Sequence, residues 1–108
     1  MTFDPFLALP GTQRTRAEVE DELYAVGLKL ARAADDSWLS ARLEALRWVL
    51  GETDTPPLST GQERTTLGYQ RERDQAFLLQ YDQVPGDPER GRGVRDLFAW
   101  LLERNDPR

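Results

Sequence analysis

Cysteine and histidine are both absent from the 108 residues. That excludes disulfides, zinc sites built from Cys or His, thiol nucleophiles and every Ser-His or Cys-His catalytic pair. Isoleucine is missing too, and valine occurs five times against 16 leucines. Few β-branched aliphatics among much Leu, Ala, Arg and Glu favour helix over strand. Of 14 basic residues only Lys29 is lysine; an Arg bias without Ile points to GC-rich coding rather than to function. No apolar run approaches the roughly 20 residues that cross a bilayer, and the mean hydropathy is −0.64. Positive charge is in short supply: 14 basic against 19 acidic residues leave −5, with a pI near 4.7. A protein that coats duplex DNA needs the opposite sign. Neither direct duplex-DNA binding nor a membrane is expected. Met1-Thr2-Phe3-Asp4-Pro5 lacks the basic start and apolar stretch of a signal peptide. A cytoplasmic location is therefore expected, and missing cysteines fit a reducing compartment.

The length suits one domain with a single core. Residues 1–14 read as an extended leader, because Pro5 and Pro10 forbid a continuous helix. Phe3, Phe6, Leu7 and Leu9 give it a reason to lie on a groove of the same chain or to dock on another. Residues 15–108 read as a single all-helical domain. A first helix is predicted over 15–34, opened by the capping box Thr15-Arg16-Ala17-Glu18. Val19, Leu23, Val26 and Leu30 form one stripe; Tyr24, Leu28 and Ala31 form another, roughly 140° away. Gly27 lies between them, where a close helix crossing would explain it. A second helix is predicted over 36–50, with Asp36 as N-cap and Gly51 as C′ glycine. Leu39, Leu43, Leu46 and Leu50 make one seam; Trp38, Ala41, Ala45, Trp48 and Val49 make a second, and Arg42 interrupts them. A helix that apolar must be central or must contribute to an interface. The short Asp35-Asp36 link forces an antiparallel hairpin.

Pro56-Pro57 stiffens a loop before a third helix over 60–82, with a second capping box at Thr60-Gly-Gln-Glu63. Its apolar face is read as Leu67, Phe77, Leu78 and Tyr81. The stretch 69–75 is polar nearly all round, as in a helix that projects past the core or packs on something polar. Asp87-Pro88-Glu89 reads as a cap with Pro at the first helical position, sufficient for a single turn. The last helix is expected over 94–104, with Val94, Leu97, Phe98 and Leu101 inward and Trp100 off the stripe. The expected fold is all-α: a four-helix bundle-like domain with an antiparallel N-terminal hairpin and an extended leader.

The hairpin carries more apolar circumference than its own two helices can hide. Tyr24, Leu28, Trp48 and Trp100 are the candidate interface residues, since aromatics off a main seam are enriched in binding hot spots. The competing reading is peripheral core covered by the leader and the last helix. Arg90-Gly-Arg92-Gly-Val-Arg95 sets three Arg and two Gly at a helix start. Cations there oppose the helix dipole, and an anion held by Arg90, Arg92, Arg95 and the glycine amides would resolve the conflict. The alternative is a solvated loop paired with Glu89 or Asp96.

Glu18, Asp21 and Glu22 form an acidic patch on the first helix. It would stabilise the helix start, or imitate nucleic acid and inhibit an enzyme that processes it. Glu18-Val-Glu-Asp21 also resembles half of the paired acidic motif with which all-helical nucleotide pyrophosphohydrolases hold Mg²⁺. The second helix offers only Glu44, and the third offers Glu72 and Asp74 at the wrong spacing, too few ligands for the metal. A helix-turn-helix reading fails on the outer face of the last helix, where Asp96, Trp100 and Glu103 suit no groove. The expectation is a non-enzymatic protein-binding module, a homodimer or a subunit of a larger assembly, needing no cofactor and no metal.

Overall fold

The structure, a computed structural model, describes residues 7–59 and 62–103. Four helices follow in order: α1 (Arg16–Arg32), α2 (Ser37–Val49), α3 (Thr66–Gln80) and α4 (Pro88–Leu102). They pack as an all-α bundle-like domain. α1 lies on α2, α2 on α4 and α4 on α3, so α4 is the helix gripped from two sides and α1 is an edge.

Helix starts follow side-chain chemistry. The Thr15 hydroxyl accepts from the Glu18 amide at 3.1 Å while the Glu18 carboxylate accepts from the Thr15 amide at 2.9 Å, the reciprocal capping box. Asp36 accepts from the Leu39 amide at 2.9 Å and begins α2 after the short link 33–36, which folds α2 back along α1. Gly51, at φ +81°, closes α2: its amide donates to Trp48 O at 3.0 Å and the Glu52 amide to Arg47 O at 2.9 Å, a Schellman end. α3 begins later than the sequence predicts. Its N-cap is Thr65; Thr60 of the predicted capping box lies outside the described residues, as do Phe3 and Phe6.

α4 is longer than its apolar stripe. Asp87 caps it, Pro88 opens it, and Gly91 and Gly93 are interior helical residues rather than loop. They fit because two neighbours come close. A Cβ on Gly91 would sit 2.7 Å from the Gln80 amide and 2.8 Å from Ala76 O of α3; one on Gly93 would sit 2.5 Å from Trp38 O of α2. Gly27, by contrast, has nothing within 4 Å of its Cβ position, so the crossing expected there is absent.

The core gathers where α4 meets both partners. Trp48, 1 % exposed, stands edge-on to Tyr69 and Phe98 at centroid distances of 5.4 and 6.2 Å, and Tyr69 stacks on Phe98 at 5.7 Å. Val19, Val26, Leu46, Val94, Leu97 and Leu101 complete it. In α3 the buried face is Gly68, Tyr69, Glu72, Ala76 and Leu79, spaced one, three, four and three apart. The face read from the sequence is the wrong one: Leu67, Phe77 and Tyr81 are exposed. Counting apolar residues misses a helix whose inward positions include a glycine and a glutamate.

The described end of the leader, residues 7–14, packs on its own chain. The Gln13 amide donates to Leu101 O at 2.8 Å and Arg14 Nε to Trp100 O at 2.8 Å, satisfying carbonyls at the end of α4 that have no partner within the helix. Thr66 Oγ1 donates to Gly11 O at 3.0 Å.

Three glycine-to-alanine variants test this packing. Gly93→Ala and Gly91→Ala each force backbone apart and are expected to lower stability by about 2 kcal/mol or more. Gly27→Ala meets no atom and is expected to raise it by about 1 kcal/mol. Urea unfolding of dilute protein reads all three; equal effects at the three positions would contradict the crossings described.

Candidate functional site

The proposed interface residues divide. Trp48 is not one: it is sealed beneath α3 and α4 by Tyr69 and Phe98, because α4, not a second chain, covers that side of α2. Trp100 is half-buried. The Arg14 guanidinium lies 4.6 Å over its ring, so it is not a bare surface aromatic. Tyr24 and Leu28 are different. They are 70 % and 53 % exposed and stand on α1 outside its buried Val19–Val26 stripe. With Leu23, Gly27 and Leu43 they border a shallow notch of about 280 Å³, and Arg47 and Glu52 flank it. The notch is open because α1 touches no helix except α2.

Trp38 and Trp100 belong to a stack of alternating rings and guanidinium groups. Arg92 lies 5.8 Å from the Trp38 ring, Arg42 lies 5.2 Å from Trp38 and 6.0 Å from Trp100, and Arg14 follows. Acidic groups line it: Glu22 pairs with Arg42 at 3.6 Å, Glu18 with Arg14 at 3.5 Å, and Asp96 accepts from Trp38 Nε1 at 2.8 Å. This accounts for Arg42, which interrupts an apolar stripe yet is buried: a planar cation between two rings and a carboxylate.

The same contacts dissolve the acidic patch as a unit. Glu18 serves the α1 cap and Arg14, and Glu22 serves Arg42; Asp21 is exposed. Glu44 pairs with Arg90 of α4, and Glu72 lies under the proline loop. Among the described residues no three acidic side chains gather to hold a metal ion, so the partial resemblance to the pyrophosphohydrolase motif has no matching geometry.

The predicted anion cluster is likewise dispersed. Gly91 and Gly93 present no loop amides, being inside α4. Arg90 binds Glu44 and donates to Pro57 O at 2.7 Å; Arg92 pairs with Glu89 at 3.2 Å. Arg95 donates to Gln80 Oε1 at 2.9 Å and lies 5.1 Å over the Phe77 ring. The three side chains serve three different neighbours instead of converging.

The sequence shows Glu72 only as a misplaced metal-ligand candidate and misses that its side chain is fully buried. It accepts from the Ser59 amide at 3.0 Å and from the Ser59 hydroxyl at 3.4 Å. Burial pushes its carboxyl above the ordinary range, opposed by the Ser59 and Leu58 amides and by Arg90. With Arg90 on Pro57 O, it fixes the Pro56-Pro57 loop against α3 and α4. The signal available was the absence of any apolar residue at its helical position. At the same end of α4, the Ser37 hydroxyl, then the Glu89 amide, hold the Asp87 carboxyl below its usual range.

Comparison with protein-family models, curated proteins and solved structures finds no match to this chain.

Glu72→Gln isolates the buried charge while keeping an acceptor for Ser59. A carboxyl raised in the folded state keeps its proton there after the unfolded chain has lost it. Wild-type stability therefore falls as pH rises from the ordinary carboxylate range through the raised native value. The stability of Glu72→Gln relative to wild type is expected to increase across that window and to level off above it. Urea unfolding between about pH 4 and pH 8 reads this; a pH-independent difference would show that Glu72 titrates normally.

Proposed function

We propose that this chain is a non-catalytic protein–protein interaction module of the cytoplasm, self-associating as a homodimer or as a subunit of a larger assembly, in an adaptor, regulatory or structural role. The observation that carries the reading is the exposure of Tyr24 and Leu28 side by side at an apolar notch. Large exposed apolar side chains next to a concave surface mark contact sites more often than isolated ones do. Glu18 and Glu22 of the acidic patch and Arg90, Arg92 and Arg95 are engaged in caps, ion pairs and ring contacts. No helix among the described residues is long and apolar enough to cross a membrane.

Light scattering over a concentration series tests it. The mass is expected to rise from 12.4 kDa towards twice that value as concentration increases. Tyr24→Glu touches no core residue and is expected to hold the protein at the monomer mass with an unchanged circular dichroism spectrum. A wild-type mass that stays at that of one chain up to several hundred micromolar would refute self-association.

A further inference from the structure

Building on that reading, we infer that the partner seated on α1 is a second copy of α1, running antiparallel, with the two-fold axis passing near Val26.

Three observations meet there. Gly27 has no atom within 4 Å of its Cβ position, although a mid-helix glycine weakens a helix. Nothing inside the chain uses its bareness; an incoming ring would. In an antiparallel pair centred at Val26, Tyr24 of each copy comes within one residue, about 1.5 Å along the axis, of the level of Gly27 of the other, where its ring can lie on bare backbone.

Charge fixes the direction. At 100° per residue, Asp21 and Arg32 fall on the same flank of the exposed face. Both are exposed, and neither is ion-paired within the chain among the described residues. They stand nearly equidistant from the centre at Val26, on opposite sides of it. Antiparallel pairing sets each flank against its own kind, so Asp21 of one copy meets Arg32 of the other, twice. Parallel pairing would set opposite flanks together and bring Asp21 of one copy beside Glu20 of the other, like charge beside like. The notch rim adds Arg47 and Glu52, one charge of each sign. A face so balanced accepts its own copy although the whole chain carries −5. One helix of 17 residues spans about 25 Å, so the contact belongs to the small, transient class of interfaces.

Single-cysteine variants read the geometry directly, because the chain has no cysteine of its own. Glu20 and Ala31 are exposed and stand within one residue of level across the antiparallel pair. Each is more than about 13 Å, measured along the axis, from its own symmetry mate. A mixture of Glu20→Cys and Ala31→Cys protein, treated with a short bis-maleimide, is expected to give the mixed 20–31 product in excess over either self-linked product. In parallel, Asp21→Arg is expected to weaken the dimer about tenfold, and adding Arg32→Asp to restore it. Self-linked products in excess would overturn the antiparallel arrangement. So would a dimer, seen by light scattering, that neither cross-links at these positions nor responds to the charge exchange. A wild-type protein that stays monomeric would overturn self-association itself.

Discussion

The close approach of α4 to two helices at once is the constraint from which the rest of the bundle follows. Gly91 brings α4 against the backbone of α3, and Gly93 against the first turn of α2. With the axes that near, Phe98 reaches both Tyr69 and Trp48, and three rings from three helices form the centre of the core. Each glycine weakens α4 as an isolated helix by about 1 kcal/mol, so α4 depends on tertiary packing for its form. Its two ends are held accordingly, by Asp87 with Ser37 at the start and by Gln13 and Arg14 at the finish. α1 stands outside this arrangement. It meets α2 alone, and its outer face is left uncovered as a consequence of where α4 sits.

Charged side chains act mainly as structural parts of this small domain. Burying Glu72 is unfavourable without partners. Its partners are amide and hydroxyl groups of a loop that Pro56 and Pro57 have already stiffened, so little chain entropy is lost in presenting them. Arg90 works on the same loop from the other side. The Arg–Trp stack does comparable work between α2, α4 and the leader. A guanidinium is planar, weakly hydrated and able to lie flat on a ring while its edge meets a carboxylate; an ammonium in place of Arg42 would lose the stacking between Trp38 and Trp100. Whatever supplied so many arginines, the fold uses their shape.

What could be read from the residues follows from the range of the forces involved. Caps and helix ends are local: Thr15 with Glu18, Asp36, Gly51 and Asp87-Pro88 were legible because each is a bond between neighbours in the chain. The hairpin of α1 and α2 was legible from the brevity of its link. The failures were tertiary. Trp48 lies off the Leu seam of α2 and so looked like a surface residue, but position around one helix cannot say which other helix arrives. α3 was rotated to the wrong face because its inward positions hold Gly68 and Glu72, chosen for a close approach and for a loop, neither of which a hydropathy pattern counts. Gly91 and Gly93 looked like a loop for the same reason, and the supposed anion site vanished with it. Tyr24 and Leu28 were placed on the second stripe of α1, and that stripe does face outward.

The charge asymmetry of α1 has two consequences of different range. Within one chain, acidic residues near the N-terminus and Lys29 and Arg32 near the C-terminus complement the helix dipole. Between two chains, the same asymmetry makes antiparallel contact attractive and parallel contact repulsive, since each copy then offers its acidic half to the other's basic half. A helix that had only to be stable would gain from alanine at position 27, where the Cβ meets nothing. Keeping a bare backbone site between two exposed apolar side chains works against monomer stability at position 27. Under the proposed pairing, contact with a second α1, which offers the reversed polarity, would recover that stability.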